Sequence, residues 1–150
     1  MWIISIYVAL HNDTGKGGEE RAAEYLVTRG YVVRDVNWRN GKYELDIVAY
    51  KDGVLVVVEV KTRTSVEYMR PEEAVTRAKC RRVIDAADAY VRHYDLPFDV
   101  RFDVIALIKK NDGTYDIDHI EDAFFPTIRD RKSTRLNSSH QRVSRMPSSA

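Results

Sequence analysis

The sequence predicts an α/β domain built on a mixed central sheet flanked by helices. Three observations carry that expectation. Hydrophobic periodicity switches between helical and strand-like spacing along the chain. Asp52-Gly53, a strong two-residue hairpin signal, separates two strand-like runs. After it, Val54 to Val60 is nearly continuous aliphatic, the pattern of a strand buried on both faces and therefore covered on both sides.

Met1 to Leu10 (MWIISIYVAL) is apolar, but ten residues reach only about half a bilayer span, and no basic leader precedes them. Residues 1–10 are therefore read as a candidate N-terminal extension, an added strand or the product of a misplaced start codon, and no export or membrane anchor is expected. Lys16 to Arg29 sets Ala22, Ala23, Leu26 and Val27 at helical spacing, with Gly15, Gly17 and Gly18 before them and Gly30 after. Tyr31 to Trp38 is rich in β-branched and aromatic residues and predicts a strand. Tyr43 to Tyr50 alternates, which predicts a strand with Leu45, Ile47 and Ala49 on one face and Glu44 and Asp46 on the other.

Beyond the aliphatic strand, Pro71 is placed to open a long helix through Ala74, Val75, Ala78, Val83, Ala86, Ala87, Tyr90 and Val91. Glu72 and Glu73 would sit favourably in its first turn. Arg101 to Ile108 predicts another strand, and Asp112-Gly113 turns into a shorter one, Tyr115 to Ile120. The order is α-β-β-β-α-β-β, expected for a single domain over residues 11–129. No period continues into 130–150. The six serines and four isolated apolar residues of Ser133 to Ala150 cannot bury enough surface to offset the entropy of ordering them, so a disordered tail is expected. Its string KSTRLNSSHQRVSRMPSSA also resembles translated sequencing-adapter DNA, which suggests an artefactual origin.

Composition restricts the function classes. At 44% hydrophobic and 31% charged, the chain is neither a membrane protein nor disordered as a whole. A single cysteine, Cys80, excludes an intrachain disulfide framework and a cysteine-rich zinc site, and fits a cytoplasmic protein. The formal charge of +1 is an average of unlike parts. From residue 130 onward five basic residues face one acid, which leaves 19 basic and 22 acidic residues, about −3, in residues 1–129. Within that acidic domain, residues 61–82 hold Lys61, Arg63, Arg70, Arg77, Lys79, Arg81 and Arg82 against Glu67, Glu72 and Glu73, a local +4. Phosphate binding follows local potential, so this stretch suits a polyanionic backbone. A solvated basic helix face is the plainer alternative.

The pattern is violated most informatively at the end of the aliphatic strand. By the strand period, Glu59 and Lys61 share a face with Leu55 and Val57. Charges there cost on the order of several kcal/mol unless paired or metal-bound. Counting across the Asp52-Gly53 turn sets Asp46 opposite Glu59 and Glu44 opposite Lys61. Directly opposed carboxylates repel, and a hard divalent cation such as Mg²⁺, which takes oxygen ligands, would stabilise them together. A neighbouring lysine would then orient or deprotonate a water and offset charge growing on a phosphate. The alternative is an ordinary ion-pair network of Glu44, Asp46, Glu59 and Lys61.

The residues around this D-x12-E-x-K pattern resemble the YraN family of small bacterial proteins, predicted nucleases of the PD-(D/E)XK restriction-endonuclease-like superfamily. The matching stretches are HNDTGKGGEERAAEYL (11–26), NWR (37–39), ELDIVAY (44–50), VVVEVKTR (56–63), RPEEAV (70–75), RFDVIAL (101–107) and HIEDAF (119–124), together about three-quarters of the chain. More distantly, the pattern is similar to archaeal Holliday-junction resolvases. The resemblance implies an αβββαβ restriction-endonuclease-like core and an endonuclease hydrolysing DNA phosphodiester bonds, branched or repair intermediates among them, with Mg²⁺ or Mn²⁺. Asp46 and Glu59 would be metal-binding acids and Lys61 the catalytic lysine. Glu19, in the GGEE block, would be a further metal-binding acid, although a favourable charge in a helix's first turn explains it equally well. Leu45-Asp46 stands where other superfamily members have Pro-Asp; only the carboxylate binds metal.

Nucleic acid, DNA first, is the expected partner, with a homodimer left open and no membrane involvement. Arg63, Arg70, Lys79 and Arg82 are the candidate nucleic-acid-binding residues, Lys79 foremost because the family often has a lysine after the PEEAV block. Thr64 to Arg70, with Tyr68 and Met69, is a candidate substrate-facing loop. A nucleic-acid-binding protein of the same fold with weak or lost catalysis is the rival reading. The histidines lack metal-ligand spacing, so zinc is not expected, and Trp2 and Trp38 read as packing residues. Basic neighbours would lower the pKa of Cys80, but without a nearby histidine it reads as a packing thiol.

Overall fold

The computed structural model describes residues 17–64 and 76–126. Arg70, the Tyr68–Met69 loop, Pro71 with its two glutamates, and the segments expected to be an extension and a tail lie outside the described residues. The elements follow the predicted order: α1 (Gly18–Thr28), β1 (Val32–Asn40), β2 (Tyr43–Lys51), β3 (Val54–Thr64), α2 (Arg77–His93), β4 (Asp99–Lys109) and β5 (Tyr115–Phe124). The five strands lie in one sheet in chain order. β3 and β4 pair in parallel and all other neighbours antiparallel, so the sheet is mixed. A parallel pair needs a crossover, and α2 supplies it. This is an α/β fold consistent with a restriction-endonuclease-like core. Among the described residues no helix is long and apolar enough to cross a membrane.

The aliphatic run of β3 is buried on both faces because a helix covers each. Leu55 and Val57 join Val83, Ile84, Ala87 and Tyr90 of α2 in one core. Val56 and Val58 join Ala22, Ala23 and Leu26 of α1 in the other. Gly18 lets α1 start tight against β3, since a Cβ there would stand 2.6 Å from Thr62 Oγ1. The β2–β3 register follows the Asp52-Gly53 turn, whose residues have φ of 51° and 80°, and runs from Lys51↔Val54 to Ile47↔Val58.

Two local expectations need correction. Thr76 has extended backbone and caps a helix that begins at Arg77 rather than at Pro71; its side chain accepts from the Lys79 N–H at 3.2 Å. Leu45 does not share a face with Ile47 and Ala49. It packs with Trp38 in the α2-side core, whereas they lie in the α1-side core. The cause is a break in the hairpin: the β1–β2 ladder passes from Val36↔Ile47 to Trp38↔Leu45 without an Asn37–Asp46 pair, and Asn37 sits at φ 54°. A left-handed residue interrupts the pleat, so simple alternation fails across it.

Candidate functional site

Asp46 stands at that break. It is skipped by the β1–β2 ladder, and the backbone ladder to β3 ends one residue earlier, at Ile47↔Val58. Where the next backbone pair would form, the side chain takes over: Asp46 Oδ2 accepts the Val60 N–H at 2.8 Å. The turn count placed Asp46 beside Glu59 correctly, but the expected Glu44–Lys61 pairing does not form, because the strands separate there.

Glu59 is only 4% exposed. Two ammoniums reach its Oε1, Lys61 Nζ from β3 and Lys79 Nζ from the first turn of α2, each at 3.3 Å. Lys79 Nζ also lies 4.0 Å from Glu44 Oε1. A buried carboxylate is tolerable because these charges pair it. Asp46 is less well compensated. Burial first, and the neighbouring Glu59 charge second, push its carboxyl up to about 6, against the Val60 N–H and Lys79, which favour the ionised form.

Two crowded carboxylates form a hard-oxygen donor pair. Among the described residues no three His, Cys, Asp or Glu side chains assemble as a cation-binding group. The pair alone fits Mg²⁺, which is bound through one or two carboxylates and otherwise keeps water and phosphate. Glu19 is not gathered with them. It lies in the first turn of α1, on the opposite face of β3, with its carboxylate against Gly17. Arg63 is half-buried two residues beyond Lys61 on β3, and Arg82 is exposed on α2. Lys79, expected to contact a nucleic-acid backbone, belongs to the acid cluster itself.

A groove of about 570 Å³ opens beside the cluster, lined by Lys42 of the β1–β2 turn, Tyr43 and Glu44 at the start of β2, and Lys79, Arg82, Val83 and Asp85 of α2. Lys42, Tyr43 and Asp85 were not singled out by sequence, since nothing in their local pattern marks them. The Cys80 thiol is pushed up, chiefly by burial and also by the Glu59 charge, and not down by its basic neighbours. Trp38 is a packing residue, edge-on to Tyr90 with ring centroids 5.1 Å apart.

A second buried polar group lies on the α1 face of β4. Asp103, fully buried, accepts from Arg101 Nε and Nη2 at 2.8 Å each, from the Asp122 N–H at 3.0 Å, and pairs with His119 Nε2 at 2.8 Å. Arg101 also donates to Tyr31 Oη at 2.9 Å. Burial raises the Asp103 carboxyl, but these donors together outweigh it and hold it below the ordinary value. The network ties the start of β1 to β4 and β5. Its signal was present in the sequence: Asp103 interrupts an apolar strand as Glu59 does.

The strand order, with an acid pair and two lysines at the end of its central strand, defines a small α/β domain of restriction-endonuclease-like architecture. Residues 18–107, which include Asp46, Glu59, Lys61 and Lys79, match the family described as Uncharacterised protein family UPF0102, and the chain belongs to that family. A UPF0102 protein of Parabacteroides distasonis is 51% identical over 122 residues, covering 81% of this chain and 100% of the relative. A UPF0102 protein of Bacteroides thetaiotaomicron is 49% identical over 121 residues, covering 81% and 99%. In Flavobacterium psychrophilum the corresponding protein is 42% identical over 118 residues, covering 79% and 98%.

Proposed function

We propose that the protein is a cytoplasmic Mg²⁺- or Mn²⁺-dependent endonuclease of the PD-(D/E)XK restriction-endonuclease-like superfamily, hydrolysing DNA phosphodiester bonds. The observation that supports this best is the crowding of Asp46 and Glu59 at the point where β2 and β3 separate, with Lys61 on the same carboxylate. Asp46 and Glu59 would hold the cation. When bound, it would polarise the phosphodiester and lower the pKa of water. Lys61, with its ammonium beside Glu59, orients the attacking water and offsets charge growing on the phosphate. Lys79 balances the second acid charge and, with Arg63 and Arg82, favours a polyanion at this end of the sheet. Cys80, the single cysteine of the chain, fits a reducing compartment.

The test is cleavage of single-stranded, duplex, flapped and four-way-junction DNA with Mg²⁺ or Mn²⁺, beside Glu59→Ala and Lys61→Ala. Loss of cleavage in both variants is expected; unchanged cleavage in both would end the nuclease assignment. One observation favours a second reading. Two ammoniums already neutralise Glu59 without a cation, as a purely structural ion-pair network would. Mn²⁺ titration separates the two, since specific binding abolished by Asp46→Ala excludes the structural network.

A further inference from the structure

The groove beside the acids combines features that sequence reading did not bring together. Lys79 is both its inner wall and a partner of Glu59, so the groove leads directly to the acid pair. Across from α2 stands Tyr43, half-buried and packed against the α2-side core, which makes its ring a supported platform. The exposed Lys42 ammonium lies over that ring, 5.3 Å from its centre, so the ring's outer face opens once this long surface side chain swings aside. Neither Lys42 nor Arg82 pairs with an acid among the described residues.

The charges of the groove are mixed: Lys42 and Arg82 supply exposed cations, and Glu44 and Asp85 supply exposed acceptors. A base carries a stackable face and hydrogen-bond donors on its edge, and its flanking phosphates carry negative charge. The volume is that of a small-ligand site rather than of a duplex channel. Resting on the nuclease reading above, we infer that this groove seats one unpaired nucleotide of the substrate strand next to the scissile phosphate. The base stacks on Tyr43 and the flanking phosphates lie on Lys42 and Arg82. The preferred substrate is therefore a strand with an unstacked base at the cut, as in single-stranded DNA or the arm of a flap.

The experiment measures binding of the full chain, in EDTA so that no cleavage occurs, to a fluorescein-labelled single strand and to a blunt duplex of the same sequence. Tyr43→Ala should weaken single-strand binding about five- to a hundredfold and change duplex binding less than about twofold, while Tyr43→Phe should bind like wild type. An oligonucleotide of abasic residues should erase the difference between wild type and Tyr43→Ala. Lys42→Ala and Arg82→Ala, both at exposed positions, should each reduce the salt slope of single-strand binding by about 0.7. Equal losses on single strand and duplex, or Tyr43→Ala binding single strands as tightly as wild type, would overturn the inference and leave the nuclease reading standing. Wild-type protein that binds neither nucleic acid would overturn both.

Discussion

Replacing Asp46 by asparagine should stabilise this protein at neutral pH, although it removes a proposed metal ligand. In the folded chain the Asp46 carboxyl is pushed up to about 6 from an ordinary value of 3.8, by burial and by Glu59. A carboxyl raised in the folded state binds its proton more tightly than in the unfolded chain. The Asp46 contribution to stability is therefore most favourable below the unfolded pKa, falls as pH rises from about 4 to about 6, and is level above that. A lift of this size corresponds to about 3 kcal/mol of penalty at pH 7.5. Asparagine escapes it, but a neutral amide accepts the Val60 N–H less strongly, a loss of about 1 kcal/mol. The expected balance is a gain of roughly 1–2 kcal/mol at pH 7.5 in EDTA that vanishes, or reverses slightly, near pH 4. Urea unfolding of both proteins between pH 4 and 7.5 measures it. A variant less stable than wild type at pH 7.5, or a difference that does not change with pH, would show that the Asp46 carboxyl is not raised by folding. Retaining a residue that costs stability is what a functional acid pair requires.

Asp103→Asn should cost about 3–5 kcal/mol at pH 7, because it removes the charge from a fully buried carboxylate that pairs with Arg101 and His119. Since the Asp103 carboxyl is held below its ordinary value, that stability is present above about pH 4 and lost as pH falls through the folded pKa. The gap between wild type and variant in chemical unfolding should therefore narrow in acid, and a gap that widens there would contradict the pairing. Lys79→Met should destabilise the cation-free protein by about 1–2 kcal/mol, with Lys79→Arg recovering most of it, because one of two ammoniums leaves a buried carboxylate. Identical unfolding midpoints in all three proteins would show that Lys61 alone suffices. Calorimetric Mn²⁺ binding should be lost in Glu59→Gln and kept within about threefold in Lys61→Met, whose cleavage rate should fall at least about a hundredfold. Undiminished Mn²⁺ binding in Glu59→Gln would remove Glu59 from the proposed site.

The parts legible in sequence are those set by local rules. The Asp52-Gly53 turn dictates a register, so Asp46 and Glu59 could be placed together by counting. The aliphatic run before Glu59 showed which strand lies between two layers, and a charge at its end stood out against it. Local rules failed where the chain departs from regular geometry. Where the β1–β2 ladder lacks an Asn37–Asp46 pair, with Asn37 at φ 54°, Leu45 and Ile47 lie on opposite sides, and the cap at Thr76 starts α2 later than a proline suggested.

The order of elements, the pairing across the short turn and the acid–acid–lysine set are all written in the local sequence. That Lys79 joins this set, that Tyr43 and Lys42 line one groove with Arg82, and that Asp103 finds Arg101 and His119 follow from the packed fold alone. Most of these partners come from distant parts of the chain. Period and turn chemistry act over a few residues, whereas the seat of α2 over the sheet follows from the packing of Val83, Ile84, Ala87 and Tyr90 against β2 and β3. No short stretch of sequence contains that packing, and it alone brings a lysine from one end of a helix to a carboxylate twenty residues earlier.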